Sequence, residues 1–340
     1  MTLQERIEAF AKLGERLQSP SPNFIDTLHR AADENTWFTL PHLLTAIDAI
    51  TSEYLNASKL EQWVQHYHLP SKPSKSYCVG IVMAGNIPLA GFHDLLCVVI
   101  CGHRAQVKLS SKDTILLPAL LQMLFDIAPN MERYFQIVER LANFDAVIAT
   151  GSNNSARYFH YYFGKYPNVI RHNRSSAAIL DGSETPQDLN NLGKDIFTHF
   201  GLGCRNVTKL FVPQNYNFVF FLDQLEPYNN AMQHHKYKNN YDYQRSLLLL
   251  NRQAHFASDF LMLTENNDRI ATPVSVLYYE YYESQNELEQ KIQHYDEQIQ
   301  CIVGNPAKKP YYIPFGKAQC PKLNDYSDKI DIVDFLMKLP

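Results

Sequence analysis

From Tyr77 onward the chain alternates short apolar runs of strand length with longer helical stretches, and that alternation leaves few folds open. Strands separated by helices read as βαβ units, whose mostly parallel sheet is covered by helices on both faces. The pattern predicts a buried strand over Tyr77–Met83, a helix from Pro88 to about Cys101, a strand over Ala105–Leu109 and a helix over Thr114–Ile127. A strand over Ala146–Ala149 and a helix over Ser155–Phe163 follow. This is a doubly wound α/β unit, in which ligands bind beyond the carboxyl ends of the strands. A further helix over Asp188–Phe200, with Leu189, Leu192, Ile196 and Phe200 on one stripe, leads to a strand over Val207–Val212. The remainder reads as mixed α+β.

Residues 1–70 have another period. Leu3, Ile7, Phe10, Leu13 and Leu17 recur at steps of three and four, and Leu43, Leu44, Ile47, Ile50 and Leu55 do much the same, which predicts a helical N-terminal layer. Ser71-Lys72-Pro73-Ser74-Lys75 is a polar, proline-containing break between the two patterns.

Composition narrows the function classes. A chain of 340 residues suits one large or two medium domains with ample core. A net charge of −4, with no dense cluster of Lys and Arg, argues against nucleic acid as a partner. The six cysteines are widely and unevenly spaced and nothing at the N-terminus resembles a secretory leader, so reduced thiols in a cytoplasm are expected. The longest apolar run, Leu95 to Cys101, is far short of the roughly 20 residues a membrane span needs. No metal site is expected either: Cys97 and Cys101 lie four apart on an apolar helix and, with His103, read as core packing. His234-His235 reads as solvated. The aromatic run Tyr278-Tyr279-Glu280-Tyr281-Tyr282 reads as an amphipathic strand on a core.

Chemistry concentrates at strand ends and at one thiol. Cys204 sits in Phe200-Gly201-Leu202-Gly203-Cys204-Arg205-Asn206, where two glycines let the backbone turn tightly and approach a ligand. The strand before Ala84-Gly85-Asn86-Ile87-Pro88 places Asn86 at the carboxyl edge of the sheet, either as a turn residue satisfying its own backbone or as an amide donor to a developing oxyanion. Lys108, Ser110 and Ser111 end the next strand, as a solvated terminus or as partners for ribose hydroxyls or phosphate. Gly151 and Ser152 follow the Ala146–Ala149 strand at a helix N-terminus, where backbone N–H groups favour an anion.

Gly85-Asn86-Ile87-Pro88-Leu89, Val107-Lys108-Leu109-Ser110-Ser111, Thr150-Gly151-Ser152 and Gly201-Leu202-Gly203-Cys204-Arg205-Asn206 occur in the order and rough spacing of the aldehyde dehydrogenase superfamily. They resemble most its acyl-CoA reductase branch, the fatty-acid reductase of bacterial luminescence systems. The likeness covers about residues 77 to 213. It implies an aldehyde dehydrogenase-like α/β fold, with a helical N-terminal region over 1-74, a dinucleotide-binding domain over 75-200 and a catalytic cysteine domain with the C-terminal segment over 201-340. It also implies that Cys204 is the nucleophile, that Asn86 and the Cys204 N–H form the oxyanion hole, that Lys108 and Ser111 meet the adenosine ribose, and that Gly151 and Ser152 lie against the pyrophosphate or nicotinamide ribose. NAD-preferring relatives often carry glutamate where Ser111 falls, and a serine there favours NADPH.

The departures from the family are informative. Hydrolytic members activate water with a glutamate before a double glycine; the matching stretch here is Ala178-Ile179-Leu180-Asp181-Gly182-Ser183, with an apolar residue in its place and Asp181 offset from it. The chain is shorter than typical members and has no clear match to their later glutamate-phenylalanine segment. Loss of the base suits an enzyme that keeps its thioester from water. The expected activity is therefore NADPH-dependent reduction of an acyl-CoA or acyl-carrier thioester to an aldehyde through Cys204. Arg205 beside it is a cation suited to the thiolate, and His199 is a candidate proton donor or a packing residue. The alternatives are an acyltransferase or thioesterase using Cys204 without hydride, or a degenerate nucleotide- or partner-binding subunit. A homo-oligomer or a reductase complex is compatible with either.

Overall fold

The four N-terminal helices each start at a side-chain cap. Thr2 and Glu5 make a capping box on α1 (Leu3–Gln18), Ser21 caps α2 (Pro22–Glu34), Thr39 caps α3 (Leu40–Ala49) and Asn56 caps α4 (Ala57–Tyr67). The stripe read from sequence on α1 is its buried face, with Ile7, Phe10, Leu13 and Leu17 in the core. The structure is a computed structural model and describes residues 1–340.

After the Ser71–Lys75 break come β1 (Cys78–Val82), α5 (Phe92–Ile100), β2 (Arg104–Lys108), α6 (Leu116–Ile127), β3 (Phe135–Ile137), β4 (Ala146–Thr150), α7 (Asn153–Phe163) and β5 (Asn168–Arg171). The strands form a five-stranded, wholly parallel sheet in the order β3-β2-β1-β4-β5. The order reverses between β1 and β4, which is the switch point where such sheets open a crevice. Cys97, on α5, is fully buried and Cys101, just past its end, almost so, and His103 accepts a hydrogen bond from the Tyr77 N–H. They are core residues, and no group of His, Cys, Asp and Glu in the chain is arranged to hold a metal ion.

A second sheet has six strands in the order β11-β6-β7-β10-β9-β8. These are β6 (Ser175–Ile179), β7 (Val207–Pro213), β8 (His255–Ala257), β9 (Met262–Glu265), β10 (Val276–Tyr282) and β11 (Ile299–Val303), with α8 (Pro186–Phe197), α9 (Phe218–Gln224), α10 (His235–Leu250) and α11 (Gln285–His294) between them. Only the edge strand β8 runs antiparallel to its neighbour. The aromatic run lies on β10, whose first five residues are all buried. It is a central strand covered on both faces, not the amphipathic strand expected, as parallel sheets require. The buried Lys209 of β7 is paired with Glu280 of β10 at 2.5 Å and donates to the Tyr295 hydroxyl at 2.7 Å.

The chain divides into two compact units, Met1–Asn173 with Cys320–Pro340, and Arg174–Gln319. The helices of 1-74 therefore share one core with the first sheet, and the second unit starts with β6 rather than at residue 201. The C-terminal stretch returns to the first unit, where Tyr326 accepts from Trp63 Nε1 at 3.0 Å and α12 (Ile332–Met337) buries Ile332, Val333 and Leu336. No helix is long and apolar enough to cross a membrane.

Candidate functional site

In the first unit, the residues singled out from sequence meet on one sheet edge. Val82 pairs with Lys108 across β1 and β2 and with Ala149 across β1 and β4, so the three strands end level. Asn86 follows β1 and is exposed, Lys108 closes β2, and Gly151 and Ser152 follow β4, all flanking the switch point. Ser152 caps α7 by accepting from the Ser155 N–H at 3.2 Å. A Cβ on Gly151 would stand 2.8 Å from Phe159 Cε2 and 2.9 Å from Ser155 Cβ, so only glycine lets the chain turn this closely into α7. Ser110 is half-buried and its hydroxyl accepts from the Lys112 N–H at 3.2 Å, which leaves Ser111 as the exposed serine. Lys108 and Lys112, both exposed, flank the pair. Two cations and an exposed hydroxyl thus stand on one loop, with no carboxylate within 108–112, a set of donors that could hold an anionic ligand.

The Asn86 loop is held from below. Leu89 adopts φ +55°, unusual for a branched side chain, and its N–H donates to Asp113 Oδ2 at 2.9 Å. Burial, partly offset by that N–H, pushes the Asp113 carboxyl up to about 6. Gly91, at φ +100°, then starts α5.

Cys204 belongs to the second unit. Helix α8 stops at Phe197, short of the expected Phe200, because His199, Phe200 and Gly201 are consecutive left-handed residues at φ +53°, +55° and +76°. Such a run costs backbone energy and needs tertiary support. Asn206 supplies it. Fully buried, it accepts from the Gly203 N–H at 2.8 Å and donates to the carbonyls of Asp195 at 2.9 Å and Thr198 at 2.8 Å. Phe200 packs against His234 with the rings tilted and their centroids 4.3 Å apart. His234 is half-buried and caps α10 by accepting from the Tyr237 N–H, so it is a packed cap rather than the solvated residue expected.

Cys204 itself is half-buried, between this turn and β7. The buried Ser176 hydroxyl donates to its carbonyl at 3.1 Å and lies 3.0 Å from Cys301 Sγ. Arg205 Nε donates to the Ala318 carbonyl at 2.6 Å, while the Gly316 and Ala318 N–H groups donate to the Asp195 carboxylate at 2.6 and 2.9 Å. Burial raises the Asp195 carboxyl to about 7, with the two N–H groups, Arg205 and Lys194 opposing it. All six cysteines are thiols.

Asp181 does not serve Cys204. Ser176, beside the Cys204 carbonyl, is the second residue of β6, and Asp181 lies beyond its far end, about 16 Å along an extended chain. It lines a separate cavity of about 410 Å³ with Glu184, Tyr282, Asn305, Lys308 and Tyr312. Although burial alone would raise it, hydrogen bonds from Ser183 and the Lys308 ammonium hold Asp181 below the usual carboxylate range. The sequence does not reveal Asn206, Ser176, Asp195 and Asp113 as supports; an asparagine two residues after the glycine-flanked thiol is the one available sign.

Solved structures of known activity share this architecture. A Bacillus cereus aldehyde dehydrogenase in complex with NAD+ superposes with a TM-score of 0.64 at 13% identity, over 89% of this chain and 72% of that one. Aldehyde dehydrogenase 21 from Physcomitrella patens, in complex with the reaction product succinate, gives 0.65 at 14% identity over 99% and 84%. An indole-3-acetaldehyde dehydrogenase from P. syringae gives 0.67 at 12% over 92% and 74%. The fold is that of the aldehyde dehydrogenases. No protein-family model and no curated protein matches the sequence.

Proposed function

We propose that the chain is an NADPH-dependent reductase of acyl thioesters that works through Cys204. The observation that carries the reading is the presentation of that thiol: half-buried, at the end of a left-handed turn that the buried Asn206 holds in place. A cysteine that merely fills a core has no need of three left-handed residues before it. The Cys204 thiolate attacks the acyl carbonyl, the Asn86 amide and the Cys204 N–H stabilise the oxyanion, and the carrier thiol leaves with a proton. NADPH, when bound, supplies the hydride that reduces the acyl group to an aldehyde, and Cys204 regains its thiolate as the aldehyde departs. Lys108, Ser111, Gly151 and Ser152 hold the cofactor, and Ser110 shapes their loop. The apolar residue that stands at the end of β6 where hydrolytic relatives carry their glutamate, with Asp181 offset beyond the strand, supports reduction over hydrolysis.

The test is absorbance at 340 nm with a panel of acyl-CoA and acyl-carrier thioesters, joined to mass spectrometry of the Cys204 peptide. Acyl-Cys204 that disappears with consumption of NADPH is expected. Acyl transfer or hydrolysis without consumption would establish the transferase or thioesterase reading, and a Cys204 that no thioester acylates would point to a binding subunit. Comparing NADPH with NADH in the same assay tests the cofactor.

A further inference from the structure

The Asn86 loop and the Lys108–Ser111 loop are tied to each other by two side chains that neither strand supplies. Asn35, buried at the C-terminus of α2, donates from Nδ2 to the Lys112 carbonyl at 3.1 Å and reaches the Gly85 carbonyl at 3.5 Å, while its Oδ1 accepts from the Trp37 N–H at 3.1 Å. One amide thus touches the backbone of both loops. Asp113, at the far end of the second loop, accepts from the Leu89 N–H of the first at 2.9 Å and keeps Leu89 at positive φ. A third contact is steric: a Cβ on Gly85 would collide with Ser110 Oγ and lie 2.9 Å from Lys112 Cβ, so the loops nest only because residue 85 is glycine. The last regular bond between β1 and β2 runs from the Met83 N–H to the Lys108 carbonyl at 3.0 Å. Beyond it, these ties position Asn86.

We propose that Asn35 and Asp113 are positioning residues that lock the Asn86 loop to the Lys108–Ser111 loop, so that a dinucleotide seated on the second loop orders the first. This rests on the assignment of Asn86 as oxyanion donor and of Lys108 and Ser111 as cofactor ligands. The physical basis is that an irregular loop has no ladder of its own. Its position follows whichever neighbour satisfies its backbone groups, and here that neighbour is the nucleotide loop. Filling one loop with ligand therefore restricts the other through a contiguous set of hydrogen bonds.

Hydrogen exchange of the peptide spanning residues 84–92, with and without NADPH, reads the coupling directly. In the wild-type chain NADPH is expected to slow exchange there severalfold. In Asp113→Ala that protection is expected to vanish while the NADPH dissociation constant, measured by fluorescence, changes less than about threefold. Acylation of Cys204 with NADPH bound should fall about tenfold, with little change in thioester KM. Asp113→Asn, which keeps an acceptor for the Leu89 N–H and nearly the same shape, is expected to restore most of the protection and guards against a variant that fails to fold. NADPH binding that leaves 84–92 unchanged in the wild type, or protects it equally in Asp113→Ala, would overturn the proposal. A wild-type chain that binds no NADPH would overturn the cofactor reading along with it.

Discussion

Replacing Asn206 by alanine is expected to remove the support from the Cys204 turn. Three close hydrogen bonds are lost, and they leave the Gly203 N–H and the carbonyls of Asp195 and Thr198 without the partner they have in the native turn. A buried polar group stripped of its partner costs about 1–3 kcal/mol. Cys204 is only half-buried, so water reaches part of this loop and the sum is reduced; the expected loss is about 3–5 kcal/mol, at the upper end for a single substitution. With a urea slope on the order of 2 kcal/mol per molar, the midpoint falls by roughly 2 M. Far-UV circular dichroism is the readout, because both tryptophans, Trp37 and Trp63, lie in the first unit and report on it alone. Asn206→Asp keeps the acceptor for Gly203 but loses both donated bonds and buries a charge, so it should be no more stable than the alanine variant. Iodoacetamide alkylation of Cys204 should change rate more than threefold in both. A midpoint shift below about 0.3 M with an unchanged alkylation rate would refute the assignment of Asn206 as the anchor of the turn.

Ser111→Glu should raise the dissociation constant for NADPH at least tenfold and leave that for NADH nearly unchanged, since a carboxylate at this exposed position repels a 2′-phosphate; equal effects on both would count against Ser111 as a ribose contact. Asp113 gives a signed pH dependence. Its carboxyl holds a proton up to about 6 in the folded chain, so its contribution to stability is present near pH 4 and is lost as the pH rises through 6. Denaturant titrations at several pH values should show wild-type stability falling relative to Asp113→Asn by about 1–3 kcal/mol between pH 4 and 7, and parallel curves would contradict the buried carboxyl. Ser176→Ala removes the donor to the Cys204 carbonyl and the acceptor of the Cys301 N–H, and should cost about 1–2 kcal/mol, read as a melting temperature lower by roughly 2–6 °C.

The first sheet is legible because β1, β2 and β4 are apolar runs bounded by turn residues, and their glycine- or serine-bearing ends stand out for the same reason. Strands β5 and β6 carry no such signal. Asn168–Arg171 and Ser175–Ile179 carry Asn, Arg and Ser where a strand signal would place apolar residues, yet Arg171 is buried against Asp94, with a 2.9 Å bond to Oδ1, and Ser176 is buried against Cys204 and Cys301. The division between the two units falls in the three residues between these strands, and a pattern that does not show them places it at 201 instead. The end of α8 was overrun because Phe200 completes an apolar stripe while its backbone is already left-handed. The thiol and its glycines were visible in the sequence. Their supports were not, because Asp195 reaches Gly316 and Ala318, and Asn35 reaches Gly85 and Lys112, across separations that no local pattern encodes.

The supports fall into two chemical kinds, and the difference has a consequence. Asn206 and Asn35 are neutral amides, each donating to backbone carbonyls and accepting from a backbone N–H. An amide suits a buried irregular loop because it satisfies orphans of both signs and costs no charge burial. Asp195 and Asp113 accept only, in sites buried enough that their carboxyls rise to about 7 and about 6. A hydrogen bond made by an amide is itself indifferent to pH, whereas the Gly316–Ala318 segment and Leu89 are bound to groups that change charge near neutrality. The turn that presents Cys204 should therefore keep its shape across the range in which the segment beside Arg205 and the loop of Asn86 take up protons. A change in activity near neutral pH would then arise in part from the surroundings of the reacting groups, and Asp113→Asn should remove the contribution of the Asn86 loop to it, which a pH profile of wild type against that variant measures.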